Sequence, residues 1–172
     1  MKYHIGQEGQ AGGIVFWVND SDRSLPQAME AAPRGWYTGV RPWGGEDGDD
    51  CQMIWSLEPE GLSEIQFNGK EVGQGPRNYQ GIEESSVFCA PKFQVNSFMG
   101  AEWMLPTIDE LQLMYENLHL QGLGQFDGEQ YWSCSVFISP YVYSWNFERG
   151  EQMMSFHNML FSLRPVRHIL WD

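Results

Sequence analysis

Few side chains in this 172-residue chain are of the kinds that do chemistry, and their spacing sets up no familiar reaction. His4, His119, His157 and His168 include no HExxH pair and no other spacing that sets two metal ligands side by side. No GxSxG turn presents a serine nucleophile, and no glycine-rich loop ends in a phosphate-binding lysine. Cys51, Cys89 and Cys134 form no CxxC pair, and their odd number argues against a disulfide framework and against a zinc site. One bridge plus a free thiol stays open on spacing alone. Asp109 and Glu110 are adjacent carboxylates, but both fit the first turn of a helix. Catalysis needs a base, a nucleophile or a metal within reach of one another, so the expectation is a protein that is not an enzyme.

Two further patterns have a chemical and a plain reading. In the run 44–50, Glu46, Asp47, Asp49 and Asp50 surround Gly48 and could wrap Ca²⁺ through oxygen ligands. The helix-flanked frame with a distal glutamate is missing, so a solvated acidic turn is the simpler reading and Ca²⁺ the alternative. No other cofactor is expected. Gly6, Gly9, Gly12 and Gly13 precede an apolar run, whereas a dinucleotide-binding turn follows a strand and opens a helix. They read as turn glycines.

Charge narrows the partners. Ten Lys and Arg stand against 23 Asp and Glu, for a net charge of −13. Contact with a phosphate backbone rests on clustered cations, so nucleic acid and anionic membrane surfaces are not expected partners. A basic or neutral macromolecule remains open. With 42% hydrophobic and 15% aromatic residues, the composition is that of a folded chain rather than a disordered one. A chain of this size buries about 70% of its unfolded surface and needs no covalent staple, so one domain over 1–172 is expected. No apolar run reaches transmembrane length, and MKYHIGQEGQ carries no hydrophobic signal core. Either the protein is not exported by that route or the chain is a mature fragment, and membrane insertion is not expected.

The elements follow from periodicity. Residues 12–18 read as a buried strand stopped by Asn19-Asp20-Ser21-Asp22. Residues 24–59 read as loop, with short apolar pieces at Ala28-Met29 and Trp36-Tyr37. A short helix is predicted over 77–90, with Tyr79, Ile82, Ser86 and Cys89 on one side and Pro91 ending it. A second helix follows Pro106. Thr107 and Glu110 have capping-box spacing, Leu111, Met114, Tyr115 and Leu118 repeat along one face, and Gly122 closes it. His119 falls at its C-terminal end, a place for capping or packing. Strands are then predicted over 131–135, 141–147, 152–157 and 163–169, with a hairpin turn over 148–151.

The stretch 131–167 stands out, holding nine of the 25 aromatic residues and very little charge. Alternation puts Tyr141, Tyr143, Trp145 and Phe147 on one side of a strand and Val142, Ser144 and Asn146 on the other. Met153, Met154 and Phe156 then offer apolar groups on both faces of the next strand, more than one core can use. A surplus of this kind marks a binding surface, the plain alternative being hydrophobes covered by oligomerisation or by the N-terminal half of the chain. The expected contact residues are Cys134, Val136, Phe137, Ile138, Tyr141, Tyr143, Trp145, Met153, Met154, Phe156, His157, Met159 and Phe161.

A series of segments in order resembles one known family. They are Ile5-Gly6, Gly12-Gly13-Ile14-Val15-Phe16-Trp17-Val18, Glu30-Ala31-Ala32-Pro33, Gly73-Gln74-Gly75-Pro76-Arg77-Asn78 and Glu102-Trp103-Met104-Leu105-Pro106-Thr107 with Glu110-Leu111. Tyr115-Glu116-Asn117-Leu118, Tyr131-Trp132-Ser133, Asn146-Phe147, Gly150 and Arg164-Pro165-Val166-Arg167 complete the set. The chain resembles the DUF1566 domains, bacterial and phage-borne domains with a C-type-lectin-like fold. The resemblance implies an α+β fold in which two helices flank small antiparallel β-sheets with long irregular loops, the later strands presenting the ligand surface. Tyr131, Trp132, Arg164 and Arg167 would then be scaffold, with Trp132 buried and the arginines anchoring loops through carboxylates or carbonyls.

Such domains usually carry Ser, Asn, Tyr or Glu between the YWS and RPVR blocks. Here Val136, Ile138, Trp145, Met153, Met154, Phe156, Met159 and Leu160 stand there. That filling is similar to the variable proteins of diversity-generating retroelements, which display altered residues on a C-type-lectin-like scaffold. The implied function is a diversified protein-binding module, a receptor-binding tip or an adhesin, on a virion or a bacterial cell surface. An oligomer is compatible with this. The alternative is a carbohydrate-binding, lectin-like adhesin assisted by calcium. The sugar-binding triplets of C-type lectins are absent, although Trp145-Asn146-Phe147 keeps part of one. Some relatives of this fold are copper oxidases that use paired cysteines, and the spacing of Cys89 and Cys134 does not suggest such a pair.

Overall fold

A computed structural model describes residues 2–34, 40, 43, 68–78, 103–138 and 141–172. The acidic run 44–50, Cys51, Cys89 and most of the helix expected over 77–90 lie outside them; 75–78 form a helical turn. The chain is of α+β class. Strands β1 (Ile14–Val18), β2 (Ala28–Ala31), β3 (Trp103–Met104) and β7 (Val166–Ile169) form a four-stranded sheet in the order β1-β2-β7-β3. Strands β4 (Gln130–Ile138), β5 (Tyr141–Asn146) and β6 (Glu151–Phe156) form a three-stranded meander. Among the described residues every strand pairing within the two sheets is antiparallel, and an isolated parallel bridge joins Tyr131 to Ser162.

The helix after Pro106, α1 (Ile108–Asn117), packs against β1, β4 and β5 and so joins the two sheets. Its capping box is complete: Thr107 Oγ1 accepts from the Glu110 N–H, and the Glu110 carboxylate accepts from the Thr107 N–H at 2.9 Å. Ile108, Leu111, Met114 and Leu118 are fully buried against Phe16, Met29 and Val166 of one sheet and Tyr131, Tyr143, Trp145 and Phe147 around the other. Each such side chain contributes about 1.5–3 kcal/mol by leaving water. After Leu118 a 3₁₀ turn, His119–Gln121, ends at Gly122 with φ +68°.

Two strands depart from the sequence expectation. β2 lies in a region read as loop, because all four of its residues are buried and show no alternation of polar and apolar side chains. Its Glu30 sits opposite Arg167 of β7, and the Arg167 guanidinium reaches its carboxylate at 3.0 Å. β3 has only two residues and exists by pairing with β7. A strand so short carries no periodic signal.

The polar contacts that fix the frame cluster on β4. The Cys134 N–H donates to the Pro106 carbonyl at 2.8 Å, and Ser135 Oγ donates to the Gly69 carbonyl at 2.7 Å while accepting from the Ile108 N–H. Asn78 closes on Gly69 from both sides, accepting from its N–H at 3.0 Å and donating to its carbonyl at 2.8 Å. These bonds tie β4 to the start of α1 and to 69–78. Trp132 is fully buried against Phe161, with ring centroids 4.5 Å apart. Arg164 donates to the Gly124 carbonyl at 2.6 Å and lies over the Phe126 ring.

Candidate functional site

The meander sorts the thirteen expected contact residues into three groups. Phe137, Ile138, Tyr141, Met154, Phe156 and Met159 are exposed, Met153 and Phe161 are half-buried, and Cys134, Val136, Tyr143, Trp145 and His157 are buried. The buried five support the surface from beneath. Leu160 joins the exposed group, so seven large apolar side chains are between 39% and 62% exposed at one end of the sheet. Its apolar character was visible in the sequence, but its exposure was not.

Register brings these side chains together. Ile138 pairs with Tyr141 and Tyr141 with Phe156, so three apolar groups stand in one cross-strand row. The Tyr141 and Phe156 rings meet edge to face at 5.4 Å. In the next row Met154 lies opposite Tyr143, and Phe137 meets the Tyr143 ring at 5.5 Å. The Met159 N–H donates to the Phe156 carbonyl at 3.0 Å, which folds Met159 and Leu160 back beside the row.

Tyr141 shares its strand face with Tyr143 and Trp145, which are buried, yet remains exposed. The cover over this face therefore gives out between Tyr143 and Tyr141. The opposite face is buried through hydroxyls. Ser144 and Ser155 share a hydrogen bond of 2.8 Å, Gln130 Nε2 donates to both, and Ser133 Oγ donates to the Tyr143 carbonyl at 2.6 Å. Their polar groups are satisfied beside Trp132, Val142 and Met153, which share this face.

His157 and Cys134 have placements that suit support rather than contact. His157 is buried and stacks on Phe156 at 5.5 Å, its carbonyl accepts from the Trp43 N–H, and burial lowers its pKa. Burial pushes the Cys134 thiol up to about 12, with the Asn78 amide 3.4 Å from sulfur opposing the rise. A thiol in this state is inert to alkylation. Native protein at pH 8 is expected to take up iodoacetamide at Cys134 only at its rate of opening, and at the rate of a free thiol in denaturant. Mass spectrometry of the peptide carrying Cys134 checks this.

The buried carboxylates are committed to the frame. Glu30 accepts from the Gly13 N–H at 2.9 Å, from the Ala11 N–H and from Arg167. Glu110 serves the capping box and accepts from the Gly73 N–H at 2.9 Å. Among the described residues no group of three or more His, Cys, Asp or Glu is placed to hold a metal ion. No described helix is long and apolar enough to cross a membrane. Away from the apolar strip, an open groove of about 380 Å³ is lined by Gly12, Pro33, Arg34, Gln125 and Arg164 among others. Its two arginines are engaged, Arg34 with Asp127 and Arg164 with backbone carbonyls.

The chain matches no protein-family model, and no curated protein matches it.

Proposed function

We propose that this chain is a non-catalytic binding module of the C-type-lectin-like, DUF1566 type, and that its ligand is a protein surface. One observation carries the reading: seven large apolar side chains lie exposed and adjacent at one end of a sheet whose frame is buried and hydrogen-bonded. Exposed apolar groups in contact with one another mark interaction sites on soluble domains. Tyr, Phe and Met supply the rigid and adaptable contact area found at binding hot spots. None of the seven side chains appears in the hydrogen bonds that hold β4 to α1, so their identity is separable from the fold. That separation is what a diversified receptor-binding or adhesin domain on a virion or bacterial surface requires.

A displayed library randomised at Phe137, Ile138, Tyr141, Met154, Phe156, Met159 and Leu160 tests this. Most members are expected to fold, and sorting against two unrelated protein baits is expected to give different sequences at these positions. A library in which few members fold contradicts the reading.

The second reading, a carbohydrate ligand, is favoured by Tyr141 and Phe156, whose exposed rings can stack on a sugar face. A glycan array with and without Ca²⁺ separates the two, since chelator-sensitive binding supports the sugar.

A further inference from the structure

The charges beside the apolar strip say what kind of protein it fits. Lys70 lies with Nζ 4.2 Å from the centre of the Tyr143 ring, the same ring that Phe137 meets from the strip. Lys70 is therefore the strip's neighbour on the surface, and its ammonium is occupied by the aromatic face. Around it stand two carboxylates. Glu71 follows it in the chain, and the Asp109 N–H donates to the Lys70 carbonyl at 3.1 Å. Burial first, and then the neighbouring Glu71, raise the Asp109 pKa while Lys70 opposes them, which places two surface carboxylates within electrostatic reach of one ammonium.

At the far end of the same sheet the turn after β5 repeats the pattern. Arg149 pairs with Glu151 at 3.6 Å, leaving Glu148 exposed without a described cationic partner. Among the described residues Lys70 and Arg149, one at each end of the meander, are thus engaged, and each stands beside a carboxylate more than it offsets. The whole chain carries −13, so a second copy would bring a like field to an already negative rim.

Resting on the reading of the strip as a protein-binding surface, we infer that its partner presents apolar side chains rimmed by lysine or arginine, and is not a second copy of this chain. The apolar groups fill the space over Tyr141, Met154 and Phe156. A partner cation beside them meets Glu71 and Asp109. Complementarity of this kind speeds encounter and excludes acidic competitors more than it deepens affinity.

A displayed library of random dodecapeptides, panned on the full chain, supplies the probe. Peptides are scored as strip-dependent when they are lost on Met154→Ser with Phe156→Ser, both variants being checked for folding by circular dichroism against wild type. Strip-dependent peptides are expected to combine aromatic residues with net positive charge. Their affinity is expected to fall about tenfold between about 50 and about 300 mM NaCl, and about threefold or more on Glu71→Gln with Asp109→Asn. Strip-dependent peptides that are neutral or acidic, or indifferent to Glu71→Gln with Asp109→Asn, overturn the basic partner while leaving the strip as a binding surface. A sedimenting dimer that Met154→Ser with Phe156→Ser abolishes overturns the exclusion of self-association. If no peptide depends on the strip, the strip reading itself fails.

Discussion

Arg167→Met is expected to destabilise the domain by about 3–5 kcal/mol, because it leaves the Glu30 carboxylate buried without its counter-charge. Glu30 is fully buried in the middle of β2, and Arg167 stands opposite it on β7 at 3.0 Å. Methionine keeps much of the arginine's apolar stem, so lost packing is a minor part of the effect. Two backbone amides, of Ala11 and Gly13, still donate to the carboxylate, and they hold the turn before β1 in place. The loss is therefore expected to appear there first, as faster amide exchange over the residues before β1. Glu30→Met added to Arg167→Met is expected to recover part of the loss, since a buried pair replaced by apolar groups often costs little. Recovery stays incomplete, because the Ala11 and Gly13 amides lose their acceptor. Urea denaturation reads all three variants, and a cost below about 1 kcal/mol for Arg167→Met would show that the pair does not hold the sheet.

Trp132→Ala is expected to cost about 3–5 kcal/mol, whereas Ile138→Ala, six positions along the same strand, is expected to stay within about 0.5 kcal/mol. Trp132 is fully buried, packs on Phe161 and lies opposite Ser144. Its removal opens a cavity that the hydrogen-bonded serines around it cannot collapse to fill. Ile138 is 62% exposed at the end of β4, and its substitution leaves no cavity. The contrast within one strand is the sharpest energetic signature of a frame that ends where the strip begins. Equal losses at the two positions, measured by chemical denaturation, would remove the division.

Local signals in the sequence were strong where local physics decides the structure. Thr107 and Glu110 with the Leu111, Met114, Leu118 repeat announced α1, and the structure closes that capping box. The meander was visible because β4, β5 and β6 are joined by short connections. Buried strands were harder. β2 has no alternating face, and the partner of its buried Glu30 is Arg167, 137 positions away in the chain. Serines 133, 135, 144 and 155 are buried, their hydroxyls satisfied within the sheet and by Gly69, and nothing local in the sequence marks them as such.

At the site, apolar density located the region but not its exposed side. Tyr141, Tyr143 and Trp145 share one face by alternation, and only the extent of cover over the sheet separates exposed Tyr141 from buried Tyr143 and Trp145. Cys134, Val136 and His157 belonged to the same apolar stretch and are buried within it. Leu160 counted among the apolar replacements but not among the expected contacts, and the turn after Phe156 exposes it. Such distinctions depend on which element covers which, and no window of sequence contains that.

Thermal unfolding with serine at Ile138, Tyr141, Met154, Phe156, Met159 and Leu160 together tests most directly whether the strip is surface filling or core. A cooperative transition within about 5 °C of the unaltered protein is expected, since exposed substitutions each change stability by little. A fall of about 15 °C or more, or a transition that is no longer cooperative, would show that these side chains build the fold, and the binding surface would have to be sought elsewhere.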